Sequence, residues 1–401
     1  MSSDHTRFQQ FADAMANADR STAVSTPPVG RVAVLGGAAD GALVAALAVA
    51  AGHETVLFTA YGRERDALRG GVTLRGEGPI GTVATNPTRG PGIATTGDLD
   101  TALTSADVIV LTGPLHKQRT YAMVLADHLV DGQLVVLPNA GTFGGLEVRA
   151  LLQSGGCAAD VGVFELSNLP WWVERDGGAL VLSAAESPLC ATLDGDGRTH
   201  TAQLTPLFGA MTACVNHSHL AFGDTSAAIE LPALLLGGPA SQAGGPSVPE
   251  GAVARPEHRN FHSLLGSSQR ALAQALLDER IAVAARFGVR DLPDLDAAVA
   301  QWAGAAQTGA MPSNGRRAVP TPEAALARVR DLIQASLQPL VDAASAVGVA
   351  VPNSVATVQL ASTVYGDNLA RHARSLDRLG VDGADADTAR RQFDALIRES
   401  R

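Results

Sequence analysis

The stretch RVAVLGGAADGALVAALAVAAGHETVLFTAYGRER, Arg31 to Arg65, decides how the chain is read. Residues 31–35 alternate as a short buried strand, Gly36-Gly37-Ala38-Ala39-Asp40-Gly41 follows at once, an alanine-rich helix is expected over residues 42–51, and residues 54–59 read as the next strand. A chain that leaves a strand, turns tightly and begins a helix offers an anion the free N–H groups and positive dipole end of that helix. Gly36 and Gly41 hold the first and third glycine positions of the dinucleotide fingerprint, and Ala38 stands at the second, one methyl nearer a bound pyrophosphate. The strand before the turn and the helix after it are the context that gives the fingerprint meaning. Gly36, Gly37, Ala38, Ala39 and Gly41 are therefore the expected cofactor turn.

The end of the second strand bears on which nicotinamide cofactor is taken. Enzymes that use NAD usually place Asp or Glu there, about 20 residues past the glycines, to hold the ribose 2′-hydroxyl. This chain has Thr59, followed by Tyr61, Arg63 and Arg65. A hydroxyl and nearby guanidinium groups suit a 2′-phosphate, so NADPH is favoured over NADH, with Thr59 and Arg63 as its contacts.

Composition bounds the rest. A chain of 401 residues, 46% hydrophobic and 17% charged, is long enough for two domains of ordinary size. Its formal net charge of -10 argues against nucleic acid or an anionic membrane as the main partner. Cys157, Cys190 and Cys214 are odd in number and widely spaced, so neither a disulfide framework nor a metal site is expected, and the expected compartment is the reducing cytoplasm. Residues 1–29 have acidic residues and no apolar core of signal length; they read as a flexible extension in which Phe8, Phe11 and Met15 mark one short amphipathic helix. The longest apolar run, Ala42 to Ala51, is too short to span a bilayer.

Further along, short strands are expected over residues 72–75 and 78–84, and SADVIVLTGP (Ser105–Pro114) is a buried strand. Parallel strands present their ligand-facing residues at the carboxyl end, which puts Thr112, Gly113 and Pro114 beside the nicotinamide half of the cofactor. A helix over residues 118–129, a strand over 134–137 and the loop PNAGTFGG (Pro138–Gly145) repeat the plan. The glycines of that loop suit close backbone approach, and Asn139 within it is a candidate substrate contact. Another strand spans 161–166, with NLPWWVER after it. Beyond Leu204 the periodicity is helical, over residues 225–236, 267–287, 322–347, 354–371 and 388–398, with a Gly/Pro/Ser-rich loop at 239–256. The expected class is α/β: an extension (1–29), a Rossmann-type dinucleotide-binding domain (30–204) and a mostly α-helical substrate and catalytic domain (205–401). The cleft between the two is the default active site.

Several stretches, taken in order, resemble the opine dehydrogenases, the octopine and nopaline dehydrogenase group. They are VAVLGGAADG, AAGHETVLF, SADVIVLTGP, DGQLVVLPNAGTFGG, VFELSNLPWWVER, LLDERIAVAARFGV and VGVAVPNSVATVQLASTVYGDNLARHARSLDRLG. The resemblance implies reduction, by NADH or NADPH, of the imine formed between an amino acid and an α-keto acid. It also implies a catalytic His, normally followed by Pro, in the first helical segment, with an Asp further on. Here that segment is DTSAAIELPALLLGG: Leu231 precedes Pro232, and Glu230 stands one residue earlier. Glu230, between Ile229 and Leu231, is a candidate acid if burial raises its pKa. His217 and His219 are substitutes. The Asp of the resemblance falls near Asp331, which also has Arg328 as an i,i+3 neighbour.

For substrate carboxylates, Arg175 and Arg374 occupy positions where the family carries Arg; Arg374 is read as an internal ion pair and Arg175 is left between the two roles. Trp171 and Trp172 either border the cleft or pack under a sheet, and Asp278–Arg280 reads as an interdomain ion-pair cluster. The partner is thus a small molecule, an amino acid, a keto acid or an imine, and a homodimer through the helical domain is compatible with the sequence. Two alternatives stand beside this reading: reduction of a preformed specialised imine, and a catalytically silent NADPH-binding assembly protein.

Overall fold

Parallel strands covered on both faces are apolar on both faces, and that is how the central strands of this molecule are built. Val32, Val34, Val108, Val110 and Val136 point into one core, while Ala33, Leu35, Ile109, Leu111 and Val135 point into the other. The computed structural model describes residues 29–185, 187–193, 197–238, 261–302, 319–381, 387–388 and 391–392. The extension over 1–29, all but its last residue, the 239–256 loop and most of the helix expected over 388–398 lie outside those residues.

The chain runs β1 (Arg31–Leu35), α1 (Ala39–Ala50), β2 (Glu54–Phe58), α2 (Gly62–Leu68), β3 (Val72–Gly76), β4 (Gly81–Val83), β5 (Ile93–Thr96), α3 (Leu99–Leu103), β6 (Val108–Leu111), α4 (Leu115–Leu125), β7 (Leu134–Leu137) and α5 (Gly144–Ser154). Then come β8 (Gly162–Leu166), β9 (Trp171–Asp176), β10 (Ala179–Ala184), β11 (Leu189–Thr192), α6 (Gly197–Phe208) and β12 (Thr212–Ala213). The helical part follows: α7 (His217–Gly223), α8 (Ser226–Leu236), α9 (Ser267–Arg286), α10 (Leu295–Trp302), α11 (Pro322–Leu332), α12 (Gln338–Ala346) and α13 (Pro352–Tyr365).

Eight strands form the main sheet in the order β12-β11-β8-β7-β6-β1-β2-β5. All neighbours are parallel except β8 and β11. The order reverses between β1 and β6, whose ends are level, with Leu35 opposite Leu111. A doubly wound sheet binds its ligand in the crevice at that switch point. β12 lies in this sheet although it begins at Thr212, so the sheet domain draws on residues beyond the boundary expected at 204.

A second sheet, β4-β3-β10-β9, holds the short strands expected over 72–75 and 78–84 together with β9 and β10, which were not foreseen. Its reason lies in α1, where every residue from Gly41 to Ala48 is buried. A helix that is apolar all round needs cover on all sides. The main sheet covers one side through Val32, Val34 and Leu57, and the second sheet covers the other through Leu74, Leu180 and Leu182. Trp171 packs at the edge of this core.

The two parts are tied together by buried polar contacts. The helix expected over 322–347 is interrupted by a π-helical turn at Ile333–Leu337. Such a turn redirects carbonyls, and Ala335 O accepts from Thr142 N–H of the sheet domain (2.8 Å) and, within the helical part, from Arg374 Nη1 (3.0 Å). Gly141 has φ +64°, and a Cβ there would stand 2.5 Å from Ala335 O, so the approach requires glycine. Arg374 takes the internal role expected of it: Nε donates to Glu147 Oε2 (2.9 Å), and Nη1 donates to the carbonyls of Ala140 (3.0 Å) and Thr142 (2.6 Å) as well. Burial works to raise the Glu147 pKa, but Arg374 and Arg119 hold it below the usual range. Lys cannot span these acceptors with one ammonium group, so Arg374→Lys is expected to cost ~2–3 kcal/mol in urea unfolding. An unchanged midpoint would show the docking to be held elsewhere.

Arg280 departs from the ion-pair cluster expected of Asp278–Arg280. It is buried and donates to the carbonyls of Ala221 (3.0 Å) and Phe222 (3.4 Å) and to Ser336 Oγ (2.9 Å), while Glu279 accepts from the backbone and side chains of Asn353 and Ser354 at the start of α13. The spacing showed charged residues together; their partners are backbone groups and short polar side chains on other elements.

Candidate active site

The glycine turn is shaped as its residues require. Gly36 has φ +116°, and a Cβ on it would meet Thr112 Oγ1 at 2.6 Å; a Cβ on Gly41 would stand 1.8 Å from Gly36 O. Thr112 is buried, and its hydroxyl donates to Leu35 O (2.9 Å), so it pins β6 to β1 and does not turn toward a ligand. Gly41→Ala is expected to cost about 1–3 kcal/mol and to weaken dinucleotide binding, since the added methyl must push the turn open. Thermal unfolding and a binding titration check both halves.

α1 begins at Ala38 without a side-chain cap, so its first-turn N–H groups are left for an anion. They face a cavity of about 230 Å³ at the switch point, lined by Ala38, Ala39, Gly113, Pro114 and Leu115 from the sheet side. Gln118 and Asn139 line it too. The opposite wall comes from the helices: Asp224, Ser226, Arg328, Asp331, Leu332, Ala335 and Ser336. A glycine turn, an uncapped helix N-terminus and a cavity at the reversal of strand order fit the pyrophosphate of a dinucleotide.

The electrostatics of the cavity centre on Arg328 and the carboxyl groups around it. Arg328 lines it while both oxygens of Glu230 hold the guanidinium from behind, Oε2 accepting from Nε (2.9 Å) and Oε1 from Nη2 (3.0 Å). Burial opposes the charge of Arg328, but Glu230, then Asp224 and Asp331, more than offset it and raise its pKa. Asp331 is pushed up to about 7, chiefly by burial; Arg328 pulls it down and Asp40 pushes it further up. Asp40, in the first turn of α1, is likewise raised by burial, with Arg328 acting against the rise. Asp40 is the residue that sequence reasoning passed over: an acid inside an anion-binding turn was itself the signal.

A scan against protein-family models finds no match. In sequence, the opine dehydrogenase of Arthrobacter sp. (strain 1C) is 25% identical over 332 residues, 79% of this chain and 85% of that protein. In sequence the chain is thus similar to an opine dehydrogenase, at a quarter of the aligned positions. Among solved structures, an octopine dehydrogenase with NADH and pyruvate matches with a TM-score of 0.64 at 20% identity, over 90% of this chain and 98% of that one. A yersinopine dehydrogenase with NADP+ bound matches with a TM-score of 0.58 at 16% identity, over 93% and 99%. Both bear out the two-part architecture of a Rossmann-type sheet followed by helices.

The expected acids are scattered. Asp331 lines the cavity. Glu230 is fully buried behind Arg328 and also accepts from Trp302 Nε1 (3.1 Å), so Arg328 is the group between it and the cavity. His217 is buried against Glu165, which also accepts from Gly145 N–H, and it is not part of the cavity lining. His219 bonds the cap residue Asn216 through Nδ1 (2.9 Å) at the start of α7. Leu231 stays in the apolar core.

The substrate candidates divide in the same way. Asn139 lines the cavity, whereas Arg175 is exposed on β9, paired opposite Leu180 in the second sheet. Trp172 is outside the cavity lining and meets Arg328, whose guanidinium carbon lies 5.8 Å from its ring centre.

A carboxylate does stand at the cofactor corner, on α2 and not at the end of β2. Glu64 Oε2 accepts from Gly37 N–H (2.9 Å) and from Thr59 Oγ1, and Oε1 pairs with Lys117 Nζ (2.7 Å). Thr59 is completely buried beneath it, Arg63 is exposed, and Arg65 lines a separate hollow with Arg69, Thr95 and Thr96. No helix among the described residues is long and apolar enough to cross a membrane.

Proposed function

We propose that this chain is a nicotinamide-dependent oxidoreductase of the opine dehydrogenase type, reducing a C=N or C=O group in a substrate that carries a carboxylate. The observation that supports this most is the cavity at the switch point, which sets the glycine turn opposite Asp331 and Arg328. A bound nicotinamide dinucleotide supplies the hydride. Ala38, Ala39 and Gly113 hold the diphosphate side through backbone groups. Arg328 binds the substrate carboxylate: Glu230 occupies Nε and Nη2, which leaves Nη1 for the ligand. Asp331 carries a proton near neutral pH and delivers it to the reduced nitrogen or oxygen. A cytoplasmic location and assembly as a homodimer go with this reading.

A second reading is favoured by one feature: among the described residues the cavity lining holds Asp40, Asp224 and Asp331 against a single Arg328, and no histidine. An excess of carboxylates suits a cationic substrate, an iminium that arrives already protonated. The two are separated by assay of NADH and NADPH oxidation with pooled α-keto acids and pooled amines, and then with preformed cyclic imines. Turnover with the pools supports the first reading, turnover with preformed imines alone supports the second, and tight cofactor binding with no turnover on either panel supports a silent assembly protein.

A further inference from the structure

We propose that Glu64 selects a dinucleotide with a free adenosine ribose 2′-hydroxyl, NADH, over NADPH, with Lys117 as its counter-ion. This rests on the reading of the chain as a nicotinamide-dependent oxidoreductase. The ribose of a bound dinucleotide belongs beside the glycine turn at the end of β2, and the carboxylate there is held from three elements. The turn gives Gly37 N–H, the end of β2 gives the Thr59 hydroxyl, and α4 gives Lys117 Nζ.

The glycine at position 37 is explained by this carboxylate. A Cβ there would stand 2.9 Å from Glu64 Oε2 and 3.0 Å from the Cβ atoms of Glu64 and Thr59. The second glycine of Gly36-Gly37 thus makes room for the protein's own acid. Burial works to raise the Glu64 pKa, yet Lys117, Thr59 and Gly37 N–H hold it below the usual range, so it is an anion at neutral pH.

An anionic carboxylate accepts hydrogen bonds from ribose hydroxyls and donates none, so it rewards a diol and repels a phosphate. Among the described residues Oε1 accepts from Lys117 alone, and it retains acceptor capacity. Lys117, over the ring of Tyr61 at 4.6 Å, is the only lysine of the chain and the only cation bonded to Glu64 among the described residues. Remove the carboxylate and that ammonium is released to bind a 2′-phosphate.

The test is calorimetric titration of the full chain with NADH and with NADPH, without substrate. Wild type is expected to bind NADH at least ~10-fold more tightly. Glu64→Gln is expected to move the NADH/NADPH ratio toward NADPH by roughly 10-fold or more, and Glu64→Gln with Lys117→Gln to lose the NADPH gain. Lys117→Gln alone leaves Glu64 uncompensated and is expected to widen the NADH preference, which keeps the test decisive if Glu64→Gln does not fold. Equal or tighter NADPH binding by wild type, an unchanged ratio in folded Glu64→Gln, or a narrowed preference in Lys117→Gln overturns the proposal. Failure of wild type to bind either dinucleotide overturns the oxidoreductase reading along with it.

Discussion

Asp331→Asn is expected to lower kcat for reduction by ~10²–10⁴-fold, the range lost with a positioned proton donor. Wild-type activity is expected to fall as pH rises past about 7, because Asp331 holds its proton up to that point. Stability falls with rising pH as well. The folded carboxyl titrates at about 7 against 3.8 as a model group, so its contribution is fully present below the model value and is lost as pH rises through the folded one. Above pH 7 the folded protein carries a desolvated anion that Asn removes, and the variant is expected to melt higher than wild type there and no higher at pH 4. Melting curves at the two pH values, with kcat against pH, check this. A variant that keeps wild-type kcat removes Asp331 from the chemistry.

Glu230→Gln is expected to cost ~2–3 kcal/mol, since it takes from the half-buried Arg328 guanidinium its bidentate counter-charge. The effect is on stability and on KM, because Arg328 loses the brace that aims it into the cavity. A catalytic acid at this position would behave in the reverse way, with kcat collapsing and the urea midpoint holding. Measuring both on one protein preparation separates the roles. Rescue of the midpoint by Asp at position 230 is not expected, because the shorter side chain cannot meet both Nε and Nη2 while also accepting from Trp302.

Much of the fold was legible because it is written in short-range pattern. The alternation of β1, the turn glycines and the apolar helix after them specify a strand–turn–helix unit with neighbours on both faces. The helices at 226–236 and 267–286 fall within a residue of their periodic runs. The second sheet was hidden because its strands are short and half exposed; β4 has three residues, and β9 is polar over its last half. Its β3 and β4 answer to the strands expected over 72–75 and 78–84, but the need for a second layer showed only in an α1 too apolar to be covered from one side.

The site was less legible for a different reason. Glu64 lies five residues past Thr59 and reaches the glycine turn because α2 folds back over it. Glu230 looked like an acid awaiting a substrate, and its charge was answered by Arg328, 98 residues away in sequence. His217 looked available, and Glu165 had taken it from β8.

By itself, the order of residues determined the dinucleotide unit, the switch from sheet to helix and the conformations that Gly36 and Gly41 must adopt, since these depend on backbone sterics and on neighbours within one turn or strand. Only the tertiary structure decided which charges face each other. The pairing of Glu230 with Arg328, the approach of Asp40 to Asp331 and the seating of Glu64 in the turn are contacts between distant segments, and no spacing along the chain encodes how burial and counter-charge will divide a proton among them.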